Sequence, residues 1–130
     1  MSSQIRSVVL VDAVRTPFGK AGSMYAGTRA DDLMVRAMRG LLERNPKVDP
    51  ASIDDVAIAA ATQTGDQGMN IGRSATLLAG LPKTVPGYSI DRWCAGALTA
   101  TTTLAGAIAM GAIDIAIAGG VEHMGNHPMG

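Results

Sequence analysis

The sequence predicts an α/β domain in which helices pack on both faces of a parallel sheet, and two observations carry this prediction. Short, apolar, β-branched stretches alternate along the chain with stretches of helical length, and the connections between them are only a few residues long. Such alternation is typical of parallel strands joined by right-handed helical crossovers. With 130 residues, of which 47% are hydrophobic, the chain has the length of one domain and enough apolar side chains for a core.

The first strand is predicted over residues 5–14, which are β-branched and almost continuously apolar. Strands that are covered on both faces have this composition. Asp31 and Asp32 begin the first helix, in which apolar residues recur at every third or fourth position. Asn45 and Pro46 end that helix.

The second strand is predicted over residues 56–61 and is followed by a polar turn at residues 64–68. Asn70 is expected to cap the second helix, because its short side chain can accept a hydrogen bond from the first turn. Gly80 and Pro82 close that helix.

The third strand, residues 85–93, leads into a third helix over residues 94–110, and a fourth strand over residues 113–118 runs into a pair of glycines. The predicted order is therefore βαβαβαβ, within an α/β domain that spans residues 1–120. The third helix is small and apolar on every side, so we expect it to be sandwiched between two layers. A domain of this size cannot easily cover such a helix alone, which predicts a further layer from more chain or from a partner subunit.

The composition argues against several classes of protein. Eleven basic residues are balanced by eleven acidic ones, so no basic face for nucleic acid is expected. A single cysteine excludes an internal disulfide and a multi-cysteine metal site, and it suits a reducing cytoplasm. Residues 94–113 carry no formal charge, but their many Thr, Gly and Ala residues favour a buried helix over a membrane span.

The stretch SIDRWCAGALTA holds the only cysteine, Cys94, where the third strand passes into the third helix. In parallel sheets, ligands bind at the carboxyl ends of strands, where the next helix begins. A thiolate is favoured beside the positive end of a helix, and thiolates attack thioesters to form acyl-enzyme intermediates. The alternative is that Cys94 is a small buried hydrophobic residue without a chemical role.

Several motifs resemble those of the thiolases, in the order and at the spacing of that family. SIDRWCAGALTA is similar to the family's nucleophile segment, and VDAVRTPFGK resembles its opening strand and Arg-Thr-Pro turn. GDQGMNIGRSATLLAGLP resembles the family's second helix together with the loop before it. AIAGGVEHMGNHPMG resembles the family's Gly-Gly-x-Glu-x-Met segment. The resemblance implies a thiolase-like N-terminal half-domain, with residues 121–130 beginning the connection to a loop domain. LLERNP, TQTGDQGMNIGR and GGVEHM look most like 3-ketoacyl-CoA thiolases of fatty-acid β-oxidation.

The resemblance also implies a mechanism. Cys94 would attack the 3-keto carbon of a 3-ketoacyl-CoA, release acetyl-CoA and pass the shortened acyl group to free coenzyme A; the reverse reaction is a condensation. The backbone N–H of Cys94 would help to bind the thioester oxygen. Coenzyme A would be a substrate, with no bound cofactor and no metal. By the same resemblance the protein would be a homodimer or homotetramer, or a subunit of a β-oxidation complex, in the cytoplasm.

The sequence departs from the family pattern in three ways. Asp91 replaces an asparagine, and the small residues after the cysteine read Ala95-Gly96-Ala97, which shifts a glycine by one place. The family's second catalytic cysteine, its Gly-His-Pro histidine and its Asn-Glu segment have no counterpart in these 130 residues. The enzyme would therefore act only with the rest of its chain. The alternative is a non-catalytic, truncated or split module that pairs with a partner subunit.

Two histidines near the end of the sequence are further candidates. His127 precedes a proline and superficially resembles the family's catalytic histidine, but its place along the chain matches the exit into the loop domain. Glu122 and His123 follow the last strand, where a polar pair could do chemistry. For Glu122 and His123 a structural role, as a hydrogen-bonding pair or an interface contact, is the interpretation we favour, and for His127 we do not favour the role of catalytic base.

Overall fold

A computed structural model describes residues 4–130, and a three-stranded parallel sheet lies at its centre. The strands stand in the order β2–β1–β3, and Ala57 in the central strand pairs with Tyr88 on one side and Ala118 on the other. The strands are β1 (Asp55–Ala59), β2 (Tyr88–Ile90) and β3 (Ala116–Gly120). The α-helices are α1 (Ala30–Arg44), α2 (Ile71–Leu78) and α3 (Gly96–Ala109), and short 3-10 helices form at Pro50–Ser52, Gly65–Gln67 and Trp93–Ala95.

Helices cover both faces of the sheet, which confirms the predicted fold class. Side chains along a strand point alternately to opposite faces. In β1, Val56 and Ile58 pack in the cluster formed with α1 and α2, whereas Ala57 packs against Ala100 and Leu104 of α3. β1 therefore contributes side chains to the cores on both faces of the sheet. Burying an aliphatic side chain such as that of Ile58 stabilises the fold by about 1.5–3 kcal/mol.

The predicted helix ends are confirmed for α1 and α2. The N–H of Asn45 bonds to the Leu42 carbonyl at the end of α1. Asn70 has a left-handed backbone (φ 59°), and its side chain accepts a hydrogen bond from the Arg73 N–H at 3.3 Å. The polar turn before this helix contains the 3-10 helix Gly65–Gln67, as the polar composition indicated.

The predicted first strand is wrong for the described chain, because residues 5–14 form no strand ladder. Val9, Leu10 and Val11 are 77%, 82% and 75% exposed. The segment is attached at its two ends instead. The Arg6 N–H donates to the Ala109 carbonyl at 3.0 Å, and Asp12 accepts hydrogen bonds from the side chains at the end of α1.

The reason is the position of this segment relative to β3. A cavity of about 1370 Å³ is lined by residues 7–21 on one side and by β3 and apolar side chains of α1 on the other. Among residues 4–130, β3 pairs only with β1, and its other edge faces this cavity. A strand needs a neighbouring backbone for its hydrogen bonds, so an apolar, β-branched sequence alone does not make one here.

The third and fourth strands are also displaced from their predictions. β2 has three residues because a turn occupies Val85, whose N–H bonds to the Pro82 carbonyl. β3 includes both glycines that were predicted to follow it. Its first predicted residues are held instead by the carboxylate of Asp54, which accepts the N–H groups of Asp114 and Ile115.

The third helix is covered on one side only. Within α3, Gly96, Ala100 and Leu104 are buried against the sheet, but Leu98 is 68% exposed. This helix, which is apolar all round, therefore lacks the second layer predicted for it within the described residues. No helix in this part of the chain has the length and apolarity that crossing a membrane requires.

Candidate active site

Cys94 lies between the end of β2 and the start of α3, and its side chain is exposed. It belongs to the 3-10 helix Trp93–Ala95, whose turn is closed by a 3.0 Å hydrogen bond from the Ala95 N–H to the Arg92 carbonyl. The α-helix begins at Gly96, two residues after the start predicted near Cys94. The exposure of Cys94 also argues against the alternative that it is a small hydrophobic core residue.

The first turn of α3 approaches the sheet so closely that only small residues fit. A Cβ atom added to Gly96 would lie 2.7 Å from the Cβ of Ala59 at the end of β1. A Cβ added to Gly120 would lie 3.2 Å from the Cβ of Ala97 and 3.1 Å from the Ala59 carbonyl oxygen. The glycine that departs from the family's order therefore stands where β1 leaves no room for a side chain.

The residue before the cysteine has a strained backbone. Trp93 has a φ of +48°, a conformation that costs a bulky residue about 1–3 kcal/mol. Its indole is 80% exposed, so little packing of the ring offsets this cost. The Trp93 N–H donates to Oδ1 of Asp91 at 2.9 Å, and the Arg92 guanidinium donates to the Thr99 hydroxyl at 3.2 Å.

Glu122 and His123 belong to a polar network at the carboxyl ends of β1 and β3, and Gln67 is its centre. The fully buried Gln67 amide donates to Glu122 Oε2 and to the Thr62 carbonyl, both at 2.8 Å, and accepts the His123 N–H at 2.6 Å. The other carboxylate oxygen of Glu122 accepts the Ala61 N–H at 2.7 Å. These contacts support the structural interpretation of both residues.

Two histidine rings tie the last residues of the chain to the N-terminal half. His123 Nε2 lies 2.8 Å from the Tyr25 carbonyl oxygen, which can only accept, so this nitrogen carries the hydrogen. His127 Nε2 contacts a carboxylate oxygen of Asp66, and the second oxygen accepts the Ala30 N–H at the start of α1 at 2.8 Å.

The electrostatics of Asp66 reflect that position. Burial raises the pKa of its carboxyl group, but hydrogen bonds from His127 and Ala30, with the positive charges of His127 and Arg29, outweigh burial. The pKa of Asp66 is therefore held below its usual value. The ionised carboxylate binds the helix start and the histidine together.

The structure does not bring these candidates to the cysteine. None of the hydrogen bonds among residues 4–130 joins the Cys94 thiol to a histidine or to a carboxylate. In the same part of the chain, no group of three His, Cys, Asp or Glu side chains has the arrangement of a metal site. Sequence reasoning missed the roles of Asp66 and Gln67; the only signal was the polar TQTGDQG turn between a strand and a helix.

The fold and the position of the thiol define a class: parallel α/β domains that present an exposed cysteine between a strand and the following helix. Comparison with known families identifies one family within this class. Residues 8–130 match the family model described as Thiolase, N-terminal domain, and the chain belongs to the thiolase family.

Its relatives are similar over nearly the whole of these 130 residues. The chain is 47% identical over 126 residues to a 3-ketoacyl-CoA thiolase of Aliivibrio salmonicida, covering 96% of this chain and 33% of that protein. It is 46% identical over 123 residues to a beta-ketoadipyl-CoA thiolase of Pseudomonas aeruginosa, covering 95% of this chain and 31% of that protein. The crystal structure of an acetyl-CoA acetyltransferase from Bacillus anthracis superposes with a TM-score of 0.89 at 34% identity. The superposition covers 95% of this chain and 31% of that one.

The chain thus spans about one third of the length of the curated relatives that it matches, and it corresponds to their N-terminal portion. The prediction of a thiolase-like N-terminal half-domain is confirmed by the family match and by the structural similarity.

Proposed function

We propose that this chain is the nucleophile-bearing portion of a thiolase, an acyl-CoA C-acyltransferase that works through an acyl-cysteine at Cys94. The observation that carries the proposal is the exposed thiol at the junction of β2 and α3, in a chain of the thiolase family. Relatives named 3-ketoacyl-CoA thiolase and beta-ketoadipyl-CoA thiolase support 3-ketoacyl-CoA as the substrate class and coenzyme A as the second substrate.

In the proposed reaction the Cys94 thiolate attacks the 3-keto carbon of the substrate. The bond between that carbon and carbon 2 breaks, and its electron pair passes to carbon 2, which takes up a proton and leaves as acetyl-CoA. The thiol of free coenzyme A gives up its proton and attacks the acyl group on Cys94. The sulfur–acyl bond breaks, so a shortened acyl-CoA leaves and the thiolate returns.

The proton transfers require an acid and a base, and no hydrogen bond within the described part of the chain joins the thiol to either. The proposal therefore concerns the full-length protein. We also propose that the full-length protein is a homo-oligomer, or a subunit of a β-oxidation complex, and that it acts in the cytoplasm. The exposed apolar side of α3 supports it, since that side requires cover from further chain or from a partner.

The test compares the full-length protein with its Cys94→Ala and Cys94→Ser variants. We expect thiolysis of acetoacetyl-CoA to be abolished in both, while circular dichroism and the unfolding midpoint remain those of the parent, because an exposed thiol contributes little to the fold. Intact-mass spectrometry after incubation with acetyl-CoA, with peptide mapping, should locate an acetyl group on Cys94 in the parent alone. Thiolysis that persists in Cys94→Ala would contradict the proposal.

The second candidate is a non-catalytic module that pairs with a partner thiolase subunit, and the exposed apolar side of α3 favours it. Size-exclusion chromatography of the 130-residue chain with and without a full-length thiolase distinguishes the two. A stable complex combined with no acetylation of Cys94 would support the module. A chain that neither dimerises nor binds such a partner would count against it.

A further inference from the structure

The backbone immediately before Cys94 has an unfavourable conformation, and one side chain accepts a hydrogen bond there. Trp93 is one of three residues other than glycine with a positive φ among residues 4–130, and the other two, Met69 and Asn70, stand together at the start of α2. There, the side chain of the second residue caps the helix. At Trp93 the exposed ring cannot hold the backbone, so another group must.

Asp91 holds the peptide that directly precedes Trp93. Its Oδ1 accepts the Trp93 N–H at 2.9 Å, and the Arg92 carbonyl of the same peptide accepts the Ala95 N–H at 3.0 Å, so this peptide plane is fixed from both sides. The N–H of Cys94 belongs to the peptide that follows, so the direction of that N–H depends on the backbone angles of Trp93. On the other side of the cysteine, Gly96 lies so close to β1 that an added Cβ would be 2.7 Å from the Ala59 Cβ, so the helix start has little room to shift towards the sheet.

We infer that Asp91 is a positioning residue for the acyl transfer, acting through Trp93 on the thiol and the backbone N–H of Cys94. This inference rests on the proposed function. An oxyanion-binding N–H and a nucleophile must be placed within fractions of an ångström, and a small misplacement costs up to a hundredfold in rate. The asparagine of the family pattern offers the same acceptor oxygen at the same position, so the inferred role belongs to the acceptor and not to the charge.

The chain supplies a matched control. Oδ1 of Asp49 accepts the Ala51 N–H at 2.9 Å, so it too bonds two residues ahead at the start of an exposed 3-10 helix, Pro50–Ser52. Asp49→Ala removes the same kind of hydrogen bond at a turn that carries no cysteine. Asp91→Asn keeps the acceptor, and Asp91→Ala removes it.

The experiment measures kcat and KM for acetoacetyl-CoA thiolysis with the full-length protein and these three variants. We expect kcat of Asp91→Ala to fall at least ~10-fold, with KM changed less than about twofold. Asp91→Asn and Asp49→Ala should stay within about twofold of the parent. The split between kcat and KM, and the retention by asparagine, would not arise from a general loss of stability.

The inference is overturned if Asp91→Ala behaves like Asp49→Ala, or if Asp91→Asn loses as much as Asp91→Ala. An Asp91→Ala variant that fails to fold also overturns it, because a purely local role at an exposed turn leaves the core intact. The proposed function fails separately, through thiolysis that persists in Cys94→Ala, whatever the Asp91 variants do.

Discussion

At the scale of single residues, the junction before α3 combines an exposed cysteine with a helix start that leaves no room for larger side chains against the sheet. A Cβ atom added to Gly96 would lie 2.7 Å from the Ala59 Cβ, and one added to Gly120 would lie 3.2 Å from the Ala97 Cβ. Small residues at these positions let the helix start directly on the carboxyl ends of β1 and β3.

Gly96→Ala tests this close approach. The new methyl group would lie 2.7 Å from the Ala59 Cβ, so the start of α3 must shift. We expect the free energy of unfolding to fall by about 1–3 kcal/mol, as overpacking usually costs, and the alkylation rate of Cys94 by iodoacetamide to change with it.

The control is Gly106→Ala in the same helix, where an added Cβ meets nothing within 4 Å. Alanine is favoured over glycine inside a helix, so this variant should gain about 0.5–1 kcal/mol. Urea unfolding of the two variants side by side measures both effects. A Gly96→Ala protein as stable as Gly106→Ala would show that the contact at the helix start is not restrictive.

At the scale of elements, the polar side chains after β1 and β3 join separate parts of the chain. Gln67 links the 3-10 helix Gly65–Gln67 to the residues that follow β3, and Asp66 links the same turn to the start of α1 and to His127. Since the last described residues have no strand or helix of their own, these side chains hold them in place.

The Asp66 carboxylate makes stability depend on pH in a definite direction. Its folded-state pKa lies below the ordinary value of 3.8, so the stabilisation is fully present above that value and is lost as the pH falls through the lower, folded-state pKa. We expect urea midpoints of the full-length protein to decline below about pH 4, with a smaller decline in Asp66→Asn.

His127→Gln should reduce the decline as well, because His127 contributes both a hydrogen bond and positive charge to Asp66. The measurement is a series of urea titrations from about pH 6 to about pH 3 for the three proteins. Identical pH dependence in the parent and in Asp66→Asn would contradict the assignment.

At the scale of the whole molecule, the described chain packs tightly on both faces of β1 but leaves the outer edge of β3 and one side of α3 uncovered. β1 is buried on both faces, between α1 and α2 on one side and α3 on the other. The outer edge of β3 and the apolar residues 8–11 face a cavity, and one side of α3 is exposed. An unpaired strand edge and exposed β-branched residues are unfavourable in a protein that stands alone.

Hydrogen exchange tests whether the remaining two thirds of the relatives' length cover these surfaces. In the 130-residue chain, we expect the amides of residues 7–14 to exchange close to the rate of an unstructured chain, because no backbone acceptor bonds them. In the full-length protein the same amides, and those of α3 on its exposed side, should be protected at least ~10-fold more.

The amides of β1 are the internal control, since that strand is buried between helices within the described residues themselves. They should be protected in both samples. Equal exchange of residues 7–14 in the two proteins would show that the open edge of β3 is not covered by further chain.

The sequence by itself determined the features that depend on neighbouring residues. The helical period of α1, the cap at Asn70 and the alternation of strands with helices are local patterns, and the structure confirms each. The placing of Cys94 between a strand and a helix could also be predicted, because the change from β-branched to small residues occurs there.

Only the tertiary structure decided the features that depend on distant partners. Residues 5–14 have the composition of a strand but find no backbone to pair with, and β3 begins at Ala116 because its register with β1 starts there. The close approach of Gly96 to Ala59 and the carboxylate shared by Ala30 and His127 likewise join segments that are far apart in sequence. Hydrogen bonds and close contacts of this kind leave no periodic signal in the sequence, which is why the position of the thiol could be predicted and the contacts around it could not.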